Sequence, residues 1–379
     1  MTIRTTHVGS LPRTPELLKA NAAHRKGELS DADFTSLLQD QVDGVVKRQA
    51  EIGLDIVNDG EYGHAMLDTV DYGAWWTYSF SRFGGLSFEN SGGFELRPPA
   101  GRDGRLAFSS FAERRDWQRF ADAYGDPESG IQIVSDNKVV FPAIVDELTY
   151  IGAEAVERDI AGVKHALEAA GKPVSDGFVA AISPGSAARV GNAFYEDDEA
   201  VVWACADVLR EEYKRITDAG LTVQIDAPDI AEGWDQMNPE PSVEDYRAFS
   251  RVRIDALNHA LEGIDPSLVR FHVCWGSWHG PHTTDIAFKD IVDLALLVNA
   301  NGLTFEVANA RHAHEWTIWR DTPLPEGKYL IPGVVSHSTN VVEHPELVAQ
   351  RIRQFADIVG DERVVASTDC GLGGRIYPS

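Results

Sequence analysis

The tripeptide His272-Val273-Cys274 sets two metal-type ligands two residues apart. On a β-strand that spacing turns both side chains to one face. A second thiol, Cys370, lies far downstream, with Glu306 between the two cysteines in sequence. Two thiols and an imidazole are soft donors that favour zinc over magnesium or calcium. The same residues also have an ordinary reading, because H-x-C arises by chance and buried cysteines pack as small apolar side chains. Residue type and spacing leave both readings open.

Further polar residues stand where strands are predicted to end: Ser10, Glu61, Asp226 and His337, together with His272, Cys274, Glu306 and Cys370. Singly, Glu61 could pair with a basic residue, Asp226 could cap the turn before Ala-Pro, and Ser10 could satisfy a local backbone group. Their joint position at strand ends favours a shared site. Two strand-end carboxylates, Glu61 and Asp226, suit a cationic amine. His337 has rivals in His64, His279, His282, His312 and His314. Cys205, inside the helical run AVVWACADVL, reads as a small core residue.

These side chains need strands to carry them. Short β-type runs occur at 5–10, 55–61, 178–186, 222–228, 269–276, 303–309, 329–336 and 363–371. Helical stretches separate them: one from Ser30, with Asp33 as capping partner, to about Gly53, then 153–170, 198–218, 243–261, 287–298 and 345–358, with a further segment near 312–320 before the seventh run. Eight βα units predict an α/β fold, a TIM (β/α)8 barrel, with a doubly wound open sheet as the alternative. Barrel strands converge at their C-terminal ends, where active sites lie.

Residues 62–135 break the alternation, being rich in glycine, aromatics and polar residues. We read 1–379 as a single domain with this stretch inserted after the second strand as a hairpin and loops. Trp75, Trp76, Tyr78, Phe80 and Phe83 would pack a lid or an oligomer contact. KVVFPAIV (138–145) reads as a ninth strand outside the barrel. The few residues after Cys370 leave no room for an eighth barrel helix, so the chain is truncated or another segment covers that edge.

Composition narrows the partners. With 34 basic and 59 acidic residues the formal charge is -25. Such a field disfavours nucleic acid and anionic membrane surfaces. No apolar run reaches the ~20 residues of a spanning helix, and the N-terminus lacks the apolar core of a secretory signal. Three cysteines are too few for a disulfide framework, which fits a reducing cytoplasm.

The motifs HVGSLPRT, NDGE, QIDAP, HVCWG, FEVAN, SHS and TDCGLGG, in that order, resemble the C-terminal catalytic barrel of cobalamin-independent methionine synthase. They also resemble its short single-barrel relatives, among them epoxyalkane:coenzyme M transferase. The resemblance implies a catalytic zinc on His272, Cys274, Glu306 and Cys370. It implies that Ser10 meets the homocysteine carboxylate, that Glu61 and Asp226 meet its ammonium group, and that His337 assists proton transfer. Two departures stand out. Ala227 replaces the glutamate of QIDEP, and the chain begins directly at the catalytic barrel, which puts the methyl donor in doubt.

The expected activity is zinc-dependent S-alkyl transfer. A small-molecule thiol, activated as the zinc-bound thiolate, attacks an alkyl carbon; with homocysteine and a methyl donor the product is methionine. The alternative is epoxide opening by coenzyme M or a similar thiol. A sulfonate thiol would need an arginine in place of the carboxylate clamp, from among Arg13, Arg82, Arg189 and Arg311. An alternative of another class is a structural zinc in a binding protein, with all four ligands permanently closed. A homo-oligomer is compatible with every reading.

Overall fold

Apolar runs without polar alternation need cover on both faces, which parallel strands between helices receive. FVAAI is such a run, and every residue in it is buried, as is every residue of VRFHV and GLTF, where Arg270, His272 and Thr304 interrupt the apolar pattern. The computed structural model describes residues 3–67, 73–89, 106–110, 113–126, 128, 129, 131, 141–276 and 278–373.

The chain starts with β1 (Arg4–Thr5), α1 (Pro15–Arg25) and α2 (Asp31–Glu51). Then come α3 (Gly73–Phe80), β2 (Phe83–Ser87), β3 (Ala143–Tyr150) and α4 (Ala153–Ala169). The middle of the chain holds β4 (Phe178–Ile182), β5 (Gly191–Asn192), α5 (Asp198–Asp218), β6 (Thr222–Asp226) and α6 (Val243–Ala260). It closes with β7 (Val269–Val273), β8 (Gly302–Phe305), β9 (Tyr329–Val335), α7 (Pro345–Val359) and β10 (Val365–Thr368). Helix starts follow the capping residues. Ser30 accepts from Asp33 N at 3.2 Å, Asp197 from Ala200 N at 2.9 Å and Ser242 from Asp245 N at 3.1 Å.

Seven strands form one parallel sheet in the order β1-β10-β9-β8-β7-β6-β4. The register sets Gln224 beside Arg270 and Asp226 beside His272. Both edges of the sheet meet residues 55–57. Asp55 N and Ile56 N donate to Thr5 O at 3.1 and 3.0 Å, Val57 N donates to Asp176 O at 2.9 Å, and Phe178 N donates to Val57 O at 3.1 Å. A second sheet, β2-β3-β5, stands apart; β2 runs antiparallel to β3 and β5 parallel to it.

Several boundaries differ from the sequence reading. The strand expected at 55–61 is a single bridge, Val57 to Gly177. The helix expected at 287–298 breaks into a 3-10 turn, Phe288–Asp290, and a short helix, Val292–Ala295. Phe288 and Ile291 are both fully buried, and Ile291 leaves helical geometry at φ -132°. Core packing therefore overrides the helical spacing. The stretch 312–320 is a 3-10 helix, Glu315–Arg320. The ninth strand starts at Ala143, later than expected, and residues 138–140 lie outside the described residues.

The expected local hairpin after Glu61 is not formed among the described residues: β2 pairs with β3, beyond the predicted insertion, and α3 precedes it. The rest of that expectation, at 68–72, 90–105, 111, 112, 127, 130 and 132–135, falls outside the described residues. The aromatics pack inward: Trp76 and Phe80 lie 5.0 and 5.6 Å from the Phe141 ring, and Tyr78, Phe80 and Phe83 are buried. Among the described residues no helix is long and apolar enough to cross a membrane.

Candidate metal centre

β7 ends at Val273, so His272 points from its last turn of pleat and Cys274 follows at the strand exit. Cys370 stands two residues beyond the end of β10. Their sulfurs lie 3.6 Å apart, with no disulfide, and one donor atom from each of His272, Cys274 and Cys370 falls within 4.8 Å of the others. All three residues are buried. Gly276 N donates to the Cys274 sulfur at 3.3 Å, a contact that favours the thiolate. Gly276 holds φ +90°, and a Cβ there would collide with the Trp278 ring, so only glycine fits this turn.

His272 is oriented by Asp226 on the neighbouring strand, with Nδ1 3.0 Å from Asp226 Oδ1. Its Nε2 is buried and has no hydrogen-bond partner among the described residues. An imidazole held by a carboxylate at one nitrogen and bare at the other is the arrangement of a metal-ligating histidine. Burial raises the Asp226 carboxyl above its usual range, against the pull of His272. The His272 ring is also raised: burial opposes its charge, but the hydrogen bond and charge of Asp226, with Cys370, together outweigh burial.

Glu306 stands one step away from that trio, just past β8. Its Oε1 accepts from Trp275 N at 2.9 Å and its Oε2 from Asn309 Nδ2 at 3.0 Å. It groups with His337 and Asp369, again within 4.8 Å. Burial, then Cys370 and Asp369, push its carboxyl well above the ordinary value. Sequence reasoning missed Asp369. It precedes Cys370 directly and accepts from the backbone N–H groups of Val307, Ala308 and Asn309 at 2.8, 2.7 and 2.7 Å. It thereby ties the exit of β8 to the Cys370 turn. Burial pushes its carboxyl up to about 7, despite those three donors. The only signal for it in the sequence is its place in TDCG.

Glu61 has φ 58°, a left-handed backbone that a non-glycine residue rarely adopts. Such strain at a polar residue points to a use for the side chain. Burial opposes its charge, but His64, Arg13 and His7 outweigh burial and hold the carboxyl below its usual value. Its charge also helps to raise the Asp226 carboxyl. Ser10 O accepts from Leu372 N and Gly373 N at 2.7 and 2.9 Å, which seats Ser10 against the Cys370 turn. Arg13 knits this corner. It donates to Ser10 Oγ at 2.9 Å, to the carbonyls of Leu11, Gly60 and His64 at 2.8, 3.1 and 3.1 Å, and to that of Glu61.

The remaining sequence candidates lie around this centre. His279 meets His337 O at 3.3 Å, His64 pairs with Glu61 at 3.7 Å, and His282 and His312 both contact Asp285. His314 is exposed. Arg82 is buried against Asp159 and Glu212. Arg189 pairs with Glu232 at 3.0 Å and also contacts Gln236. Arg311 is exposed and donates to Thr283 O at 3.3 Å. Cys205 is buried in the core, as expected.

A roof lies beside the ligand strand. Arg114 is fully buried, pairs with Glu232 and stacks on the Trp278 ring at 4.8 Å. Trp278 Nε1 donates to Tyr124 Oη at 2.8 Å. Asp116 accepts from His282 N at 3.1 Å and Thr283 N at 2.9 Å, and from Tyr124 Oη at 2.7 Å. Burial works against Glu232's charge, yet Arg114 and Arg189 hold its carboxyl down at about 2.

The donor set fits a soft divalent cation. Two sulfurs and an imidazole converge in a buried space, with the Glu306 carboxyl close by. Zinc suits that chemistry.

The family model for "Cobalamin-independent synthase, Catalytic domain" matches residues 3–74 and 127–378. Among curated relatives, the 5-methyltetrahydropteroyltriglutamate–homocysteine methyltransferase of Pasteurella multocida (strain Pm70) is 24% identical, over 99% of this chain and 41% of its own length. Its namesake in Chelativorans sp. (strain BNC1) is 25% identical, over 98% of this chain and 40% of its own. The chain thus spans about two fifths of the length of these relatives. In fold it resembles a B12-independent methionine synthase from Shewanella sp. W3-18-1, solved with selenomethionine. The TM-score is 0.67 at 17% identity, covering 100% of this chain and 93% of that one. A putative B12-independent methionine synthase from Listeria monocytogenes gives a TM-score of 0.61 at 15% identity. With the family model matching most of its length, this chain belongs to the cobalamin-independent methionine synthase family.

Proposed function

We propose that this chain is a zinc-dependent S-methyltransferase that passes a methyl group to homocysteine and forms methionine. The observation that carries the reading is the meeting of His272, Cys274 and Cys370 beside two half-buried carboxylates, Asp226 and Glu61. The names of the curated relatives and the selenomethionine in the Shewanella structure support an amino-acid thiol as acceptor.

His272, Cys274 and Cys370 would hold the metal, with Glu306 as the nearby fourth donor. Zinc, when bound, supplies the positive charge that favours a thiolate near neutral pH. Asp226 and Glu61 bind the ammonium group, and Ser10 meets the carboxylate. Together they fix the sulfur in near-attack geometry. The sulfur forms the new S–C bond as the methyl leaves its donor, and His337 delivers a proton to the leaving atom. The hydrogen bonds at 55–57 support reading that segment as the second strand of a closed eight-stranded barrel, with 1–379 as one domain. Arg13, Arg82 and Arg189 are all engaged by carbonyls or carboxylates, which weighs against a sulfonate thiol.

The test is product analysis. The zinc-loaded protein, homocysteine and 5-methyltetrahydropteroyl donors with one or three glutamates should yield methionine by mass spectrometry. Asp226→Asn should raise KM for homocysteine by roughly 10–100-fold, in the range seen for partners of a ligating histidine. Methionine formation from neither donor would refute the methyl-transfer reading.

A further inference from the structure

We propose that Gln224 is a positioning residue for the metal centre: its amide, set by Arg270, fixes Asp226 so that His272 keeps its proton on Nδ1 and offers a bare Nε2. The proposal deepens the zinc reading above and rests on it.

The sheet register builds the arrangement. Gln224 faces Arg270 across β6 and β7, and Asp226 faces His272 one pleat nearer the strand ends. Residues two apart share a face, so the four side chains make two stacked cross-strand pairs. Gln224 is fully buried and Arg270 and His272 nearly so. Arg270 Nε donates to Gln224 Oε1 at 2.7 Å. Arginine has donors only, so the amide oxygen must face it. The amide nitrogen then points the other way, donating to Asp226 Oδ1 at 2.8 Å and to Val8 O. Arg270 is itself held by Thr6 Oγ1 at 3.2 Å and His7 O at 2.7 Å, and its guanidinium stacks 3.5 Å from the Phe178 ring centre.

The polarity therefore runs one way, from Arg270 to Gln224 to Asp226. Asp226 Oδ1 receives an N–H from Gln224 and faces His272 Nδ1. As an acceptor from both, it places the histidine proton on Nδ1. The chain of donors ends at Nε2, which has no partner among the described residues and which must be deprotonated to bind a metal.

Two variants separate this role from packing. Gln224→Glu keeps the size and the Arg270 contact but has no N–H for Asp226. Gln224→Met keeps the length and removes both polar ends without adding charge. The probe is cobalt(II) added to the metal-free protein, followed by its visible spectrum and by paramagnetic NMR of the ligand histidine. In the unaltered protein one cobalt should bind per chain, with a slowly exchanging Nδ1–H resonance. Both variants should bind cobalt roughly 10–100-fold more weakly and lose that resonance to exchange with solvent. If Gln224→Glu does not fold, Gln224→Met alone decides. Cobalt affinity and an Nδ1–H signal unchanged in a folded variant would overturn the proposal while leaving the zinc reading intact. Failure of the unaltered protein to bind cobalt would overturn both.

Discussion

Two regions meet at the exits of the parallel strands, and they are held by different forces. The ligand region is fixed by strand register and by hydrogen bonds between neighbouring strand ends, such as Asp226 to His272 and Asp369 to the backbone of 307–309. The roof, 113–126, meets the loops after β6 and β7 through buried charges: Arg114 with Glu232, and Asp116 with the backbone of His282 and Thr283. It also lies within 75–126, the stretch between the two matched parts of the family model. The difference teaches that the candidate ligands sit on the part of the chain that the family model matches, whereas the surroundings of their strand are shaped by a segment outside that match. Damage to the first should remove the metal and leave the fold, and damage to the second should loosen the roof and leave the metal.

The largest effect is expected at the ligands. Cys370→Ser should lower zinc affinity beyond the roughly 10–100-fold typical of outer partners, abolish turnover, and leave the circular-dichroism melt close to that of the parent. Retained stoichiometric zinc with full activity would break the comparison at its centre. In the roof, Glu232→Gln leaves Arg114 and Arg189 facing a neutral partner and should cost about 3–5 kcal/mol in denaturant unfolding. A loss under about 1 kcal/mol, the value of an exposed pair, would show that those charges are solvated in solution. Asp116→Asn should cost about 1–3 kcal/mol, as a buried acceptor is exchanged for an amide. It should speed proteolysis within 113–126 while zinc content stays at one per chain.

The smallest effect concerns pH. Burial, with Arg270 nearby, depresses His7 to about 4 from an ordinary 6.5, and its Nε2 lies 2.8 Å from Gln49 Oε1. The folded protein then binds fewer protons at His7 than the unfolded chain between those values. Its contribution to stability is present above pH 6.5 and lost as pH falls toward 4. Denaturant midpoints from pH 4 to 7.5 should therefore slope less in His7→Gln than in the parent; equal slopes would remove His7 from the acid response.

The ligand region was largely legible in the sequence because its signals are local. His272 stands near the end of one strand with Cys274 just beyond it, and a buried strand such as FVAAI shows as an apolar run. Asp226 pairs with His272 at the end of β6 and Ser10 meets the Cys370 turn, although 55–61 forms a single bridge and not the strand expected to end at Glu61. What escaped is what depends on register or on distant partners. Gln224 looked like one more strand residue until pairing set it beside Arg270. Asp369 gave no sign of holding three backbone N–H groups on another strand. The partners of the roof lie over a hundred positions away, as with Arg114 and Glu232, separated by 118. The false helix at 287–298 arose because Phe288 and Ile291 have helical spacing but are drawn into the core.

The central claim is that His272, Cys274 and Cys370 form an open, catalytic zinc site for an amino-acid thiol. Zinc K-edge absorption of the zinc-loaded protein, alone and then with homocysteine or coenzyme M, tests it most directly. Homocysteine should add one sulfur to the zinc shell at about 2.3 Å, with no change on adding coenzyme M. A shell that stays the same with both thiols would contradict the claim and mark the site as structural.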